Sequence, residues 1–168
     1  MPAYRVIALS QDVADAVRAT HLSPFSKHPT HTEVARGHGP CRLCLRAFNV
    51  GQERRILFTL DPFAGLESEP LPGPVFIHEA ACVRHAEDAG FPADIQGRAL
   101  TLQAYGSGRR LVEEERAQNG TVDAAIERLL MRRDVAYIHV RDTEAGCYDC
   151  RIERAGSPRL RSIPVDPD

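Results

Sequence analysis

Two Cys-x-x-Cys pairs, Cys41-Arg-Leu-Cys44 and Cys147-Tyr-Asp-Cys150, are the residues whose type and spacing bear most directly on chemistry. Two cysteines separated by two residues can be wrapped by one tight turn so that both sulfurs face one point. Two such turns supply the four soft ligands that a tetrahedral zinc ion prefers. The pairs lie roughly one hundred residues apart, so a shared metal would join distant parts of the chain. Closing a loop of that length costs about 4 kcal/mol, against about 10–16 kcal/mol for zinc on thiolate sites. The expected ligands of a structural zinc ion are therefore Cys41, Cys44, Cys147 and Cys150. Zinc knuckles commonly place a glycine just after the second cysteine, where Leu45 and Arg151 stand here, and this predicts less regular turns. A thiol redox couple is the competing use of such pairs. The total of five cysteines leaves at least one outside any complete set of intrachain disulfides.

The fifth cysteine lies in His78-Glu-Ala-Ala-Cys82-Val-Arg-His85. On a helix, His78, Cys82 and His85 would share one face. Cys82 and His78 are the alternative metal ligands, replacing one of the four paired cysteines or lying just beyond them. An equal reading makes Cys82 a small apolar core residue. With four paired cysteines completing the shell, Cys82 is expected to be dispensable. The likeness to the His-Glu-x-x-His motif of zinc proteases is superficial, because a cysteine stands where the second histidine belongs.

Cationic side chains adjoin the same turns. Arg42 and Arg151 flank the cysteines, and His139 and Arg141 share a strand face just before the second pair. If the metal gathers the turns, Arg42, His139, Arg141 and Arg151 form a cleft for a small anionic ligand such as a carboxylate, a phosphate or an acidic peptide. Salt bridges to Glu153, Asp149 or Asp142 would account for the same arginines. Two functional classes follow, a metal-stabilised binding or interaction domain and an enzyme acting on a small anionic substrate. In the enzyme, His139 would be the acid/base and Arg42 and Arg141 the electrostatic clamps. A thiol redox protein is a third. A closed four-thiolate site favours the first.

These residues need a scaffold, and its elements are partly legible. Tyr4–Leu9 alternates as a strand, and Ser10 caps a helix carrying Val13, Ala14, Val17 and Arg18. From 21 to 40 the chain is rich in His, Pro, Thr and Gly. It reads as a long connection with a strand near Thr32–Arg36, and His21, His28, His31 and His38 are surface residues of it. Asn49-Val-Gly-Gln is a turn, and Arg55–Leu60 alternates Ile56, Phe58 and Leu60 on one face. The stretch 61–74, with its prolines and glycines, breaks regular structure. Pro74–His78 is a strand, followed by a helix to about Asp88. Arg98–Tyr105 and Arg109–Glu114 flank Gly106-Ser-Gly108 as a hairpin. Thr121 caps a helix through Val122, Ile126, Leu129 and Leu130. Val135–Arg141 is a strand with Ala136, Ile138 and Val140 on one face and Tyr137, His139 and Arg141 on the other. The fold class is α+β, with a mixed, mostly antiparallel sheet of about six to eight strands and two or three helices. Residues 1–156 form a single metal-stabilised domain, and 157–168 form a loosely ordered tail.

Composition bounds the rest. A chain of 168 residues, 43% hydrophobic and 26% charged, is long enough for one substantial core and has globular composition. A formal charge of −2 argues against wholesale attraction to nucleic acid or to an anionic membrane. No run approaches the roughly 20 apolar residues of a membrane helix, and the N-terminal apolar run is too short for a signal peptide. The expected compartment is the reducing cytoplasm, where close cysteines bind metal more often than they form disulfides.

In its motifs the chain resembles the bacterial domain-of-unknown-function family 1203. The matching segments are Gly39-Pro-Cys-Arg-Leu-Cys-Leu-Arg46, Gly73-Pro-Val-Phe-Ile-His78, Ala136-Tyr-Ile-His-Val-Arg141 and Gly146-Cys-Tyr-Asp-Cys-Arg-Ile-Glu-Arg154. They occur in the family's order and span most of the chain. The resemblance implies a family grouped by sequence, without an assigned activity.

Overall fold

Alternation at Tyr137–Arg141 organises the larger of two sheets. The structure, a computed structural model, describes residues 3–37, 39–62 and 73–160. Its elements are β1 (Tyr4–Ile7), α1 (Gln11–Thr20), β2 (His31–Val34), β3 (Arg54–Leu60), β4 (Gly73–His78) and α2 (Ala93–Gln96). They continue with β5 (Leu100–Tyr105), β6 (Leu111–Ala117), α3 (Val122–Leu130), β7 (Tyr137–Asp142) and β8 (Tyr148–Arg154). The chain is a single α+β domain. Its eight described strands, within the expected six to eight, form two antiparallel sheets, β1-β8-β7-β5-β6 and β2-β3-β4, where a single mixed, mostly antiparallel sheet was expected. The alternation of β7 holds: Ile138 and Val140 enter the core under α3, and Tyr137 and His139 lie on the opposite face.

Each sheet has its own core. Val6, Leu102, Ile126, Ile138, Val140 and Ile152 pack between the large sheet and α3, whose buried Val122, Ile126, Leu129 and Leu130 follow the expected spacing. Val13 and Val17 of α1 pack with Leu43, Phe48, Ile56 and Ile77 against the small sheet. Ser10 caps α1 as expected, its Oγ accepting from the Val13 N–H at 3.4 Å. Thr121 does not cap α3. Its hydroxyl donates to the Gln118 carbonyl at 2.8 Å and accepts from the Gln118 N–H, closing the preceding turn instead.

Two further expectations are corrected. Residues 79–88 form no helix. The segment is tied sideways to its neighbours: Arg84 donates to the Ala8 and Leu9 carbonyls, and the His85 N–H donates to the Leu43 carbonyl, each at 3.0 Å. Cys147–Cys150, expected as a turn, leads into β8. The turn lies one step earlier, where the Asp142 carboxylate accepts the Glu144 and Ala145 N–H groups and Gly146 takes φ 72°. Opposite it, the β7–β8 register slips between Val140 and Arg141: Val140 faces Cys150 and Arg141 faces Tyr148, leaving Asp149 without an opposite residue. The slip puts Tyr148 on the face shared by Arg141 and His139. His38, residues 63–72 of the expected irregular stretch and 161–168 of the expected tail lie outside the described residues.

Candidate metal centre

The Cys41-Arg-Leu-Cys44 segment does form the expected turn. The Leu45 N–H donates to the Cys41 carbonyl at 2.8 Å, the Cys41 N–H donates to the Arg46 carbonyl at 2.9 Å, and Pro40 bridges to Ala47. Leu45 adopts φ 57°, the left-handed conformation that glycine would take without strain. A leucine is kept there because its side chain is fully buried in the core beneath α3.

The partners of this turn are His78 and Cys82. Cys41, Cys44, His78 and Cys82 offer four ligand atoms that all lie within 4.8 Å of one another, a group able to hold a metal ion. Cys44 Sγ is 3.5 Å from His78 Nδ1, and Cys41 Sγ is 3.9 Å from Cys82 Sγ. The expected set of Cys41, Cys44, Cys147 and Cys150 is thus not gathered. Cys147 sits at the turn before β8 and Cys150 lies within the strand beyond the register slip at Asp149, and neither joins the group of Cys41, Cys44, His78 and Cys82. Cys150 is fully buried beneath α3, and burial pushes its thiol well above the ordinary range. Cys147 stays half-buried at the turn, its sulfur 3.8 Å from the Ala145 carbonyl.

Neighbouring groups orient the cluster. His78 ends β4, its N–H donates to Cys41 Sγ at 3.4 Å, and its ring lies 4.5 Å from that of Phe48. The far nitrogen, Nε2, is 3.4 Å from Glu53 Oε2, an electrostatic contact too long and poorly aligned for a good hydrogen bond. Glu53 is itself held by the Asn49 N–H at 2.7 Å. Arg18, in the last turn of α1, donates to the His78 and Ala80 carbonyls and to Cys82 Sγ at 3.5 Å. Contact with Cys41 and Cys44 pushes His78 up to about 10, and Cys41 together with burial pushes the Cys44 thiol up to about 12. Contact with Cys41 lowers the Cys82 thiol. Sequence reasoning named His78 and Cys82 as alternatives. It missed Arg18 and Glu53, which carry no spacing signal relative to the cysteines.

The four cationic candidates separate. Arg42 is buried, with Nη2 3.2 Å from Asp149 Oδ1 and its other nitrogens on the Tyr148 and Pro40 carbonyls. It braces the cysteine turn against β8. Arg151 is paired with Glu153 at 2.8 Å, and Glu153 is shared with Arg5 at 2.9 Å. His139 has no exposed surface and packs against the rings of Tyr105, Tyr137 and Tyr148 at 5.0–5.2 Å. Burial, then Arg141 and Arg151, push it well below the ordinary histidine range, so it is neutral at pH 7. Arg141 donates to Gln103 Oε1 at 2.8 Å and to the Gly146 carbonyl at 3.1 Å.

A model of the family described as protein of unknown function (DUF1203) matches residues 38–154, well over half of the chain. The chain belongs to the DUF1203 family. The matched segment contains the metal-ligating group, the Arg42–Asp149 pair and β3 to β8. No curated protein and no solved structure matches this DUF1203 chain. No helix among its described residues is long and apolar enough to cross a membrane.

Proposed function

We propose that this DUF1203 protein is a binding or interaction domain held together by one structural zinc ion on Cys41, Cys44, His78 and Cys82. The ligand spacing carries the reading. With Zn–S about 2.3 Å and Zn–N about 2.0–2.1 Å, a tetrahedron has edges of about 3.8 Å between two sulfurs and about 3.6 Å between sulfur and nitrogen. The corresponding separations here are 3.9 and 3.5 Å. Three thiolates and an imidazole are soft and borderline donors that suit zinc better than calcium or magnesium. Glu53 lies 3.4 Å behind His78 Nε2, on the side where a carboxylate commonly orients a zinc-bound histidine, and Nδ1 faces Cys44 and is left for the metal. Four protein ligands leave no position for water, which favours a structural over a catalytic ion. The buried, neutral state of His139 speaks against the acid/base reading. A reducing cytoplasm would keep these thiols available.

Metal analysis of protein purified under reducing conditions should find about one zinc per chain. Cys82→Ser should lose the metal, and Cys147→Ser should keep it. A wild type free of transition metal, or a Cys82→Ser variant that retains stoichiometric zinc, would sink the proposed ligand set.

A further inference from the structure

We propose that the cleft at the seam between the two sheets binds a small organic carboxylate, gripped by Arg141 and Tyr148 with its apolar remainder packed on Leu60, Pro74 and Val75. This deepens the binding-domain reading and uses none of the four metal ligands.

The cleft encloses about 290 Å³ where β3 and β4 of the small sheet meet the β7–β8 turn. That is at the lower end of the volumes of small-molecule sites. One wall is apolar, from Leu60, Pro62, Pro74 and Val75, and the other brings Arg141, Cys147 and Tyr148. Arg141 spends Nε on Gln103 and Nη1 on the Gly146 carbonyl, so its fork is fixed, and Nη2 has no hydrogen-bond partner among the described residues. It has no carboxylate partner there either, because the nearby acids are committed elsewhere. Asp149 faces Arg42, Asp142 faces Arg98 at 2.6 Å, Glu153 is shared by Arg5 and Arg151, and Glu114 accepts from Gln103.

Tyr148 lines the same cleft beside Arg141. Its ring is buried, and its hydroxyl is not among the buried unpaired side-chain oxygens of the described residues, so it keeps contact with solvent and is open to a ligand. Burial holds the phenol far above its ordinary range, so it remains a donor. The register slip between Val140 and Arg141 sets Tyr148 directly opposite Arg141, and it is this slip that brings guanidinium and phenol to one face. A fixed guanidinium nitrogen and a hydroxyl donor beside an apolar wall match one carboxylate on a hydrocarbon body. Inorganic phosphate, with more charge and no apolar part, would leave the wall unused. The half-buried Cys147 thiol, which also lines the cleft, reports on occupancy.

The experiment uses the full, metal-loaded chain with straight-chain monocarboxylates from acetate to octanoate, the matching neutral amides, and inorganic phosphate. Binding is read by calorimetry and by the rate at which iodoacetamide alkylates Cys147, followed by peptide mass spectrometry. The longer carboxylates should bind saturably and slow alkylation, the amides should not, and phosphate should bind more weakly. Arg141→Gln should weaken carboxylate binding by about tenfold or more. Tyr148→Phe, which keeps the ring packing, should weaken it by a smaller factor, so the test survives if the arginine variant folds poorly. No saturable binding across the series, equal binding of acids and amides, phosphate binding tighter than any carboxylate, or unchanged affinity in both variants would overturn the proposal. Zinc content measured on the same samples separates its failure from failure of the metal reading.

Discussion

At the scale of single residues, the cysteines divide by backbone conformation more than by sequence spacing. Cys41 and Cys44 share a turn that Leu45 closes in a left-handed conformation, whereas Cys150 follows Cys147 along an extended start to β8 and ends up beneath α3. The motif is identical in both places, and only the conformation of the intervening residues decides whether the sulfurs meet. That difference was not legible, because Asp142 and Gly146 displace the turn toward the N-terminus and no feature of Cys-Tyr-Asp-Cys announces it. His139 illustrates the opposite case: alternation placed it on the correct strand face, but its chemistry depends on burial by rings remote in sequence. Because His139 stays neutral in the fold, the unfolded chain takes up a proton below about pH 6.5 that the folded protein refuses. The unfolded state then binds more protons, so this residue makes stability fall as pH falls below about 6.5, by up to about 1.4 kcal/mol per pH unit, and contributes no slope above it. Denaturant melts of metal-loaded wild type and His139→Leu between pH 7.5 and 5 should diverge in slope by that amount. Parallel curves would mean that the imidazole is protonated in the folded state.

Among elements, those with strong local signals were readable: the Ser10-capped α1, the alternating β3 and β7, the hairpin of β5 and β6, and the periodic α3. Segments that owe their path to distant side chains were not. Residues 79–88 have a helix-compatible sequence, yet Arg84 ties them to the loop after β1 and Arg18 ties them to α1. Arg18 is the link between an element visible in the sequence and a loop that was not. It closes α1 with hydrogen bonds to the carbonyls of His78 and Ala80, the flanks of the two ligands that complete the metal group. Replacing it with methionine keeps an unbranched helix former and much of the packing, and removes the clamp. Arg18→Met should therefore lower zinc affinity by about 10–100-fold, the usual effect of losing a group that orients ligands. Helical circular dichroism should stay close to wild type. Competition with a colorimetric chelator measures the affinity, and an unchanged value would show that the loop holds Cys82 without the arginine.

For the whole molecule, the consequence of the ligand set is a division of labour between two cores. Had Cys147 and Cys150 been ligands, the metal would have stitched the small sheet to the hairpin of the large one. With His78 and Cys82 in their place, every ligand belongs to the cysteine turn, to β4 or to the loop after it, all within or beside the core built by α1 and the small sheet. The large sheet with α3 has a core that needs none of these four side chains. The two halves are joined by the Arg42–Asp149 pair and by Tyr148, which packs in the small-sheet core from the strand of the other. Metal binding contributes folding free energy where its ligands are ordered, so its removal should loosen one half first. After chelation under reducing conditions, amide hydrogen exchange should accelerate through α1, β2–β4 and residues 79–86, while β5, β7 and α3 stay protected to within about tenfold of the loaded protein. Zinc added back should restore the slow exchange. Uniform acceleration across both sheets would instead mean that the buried Arg42–Asp149 pair couples the halves so tightly that they unfold as one unit.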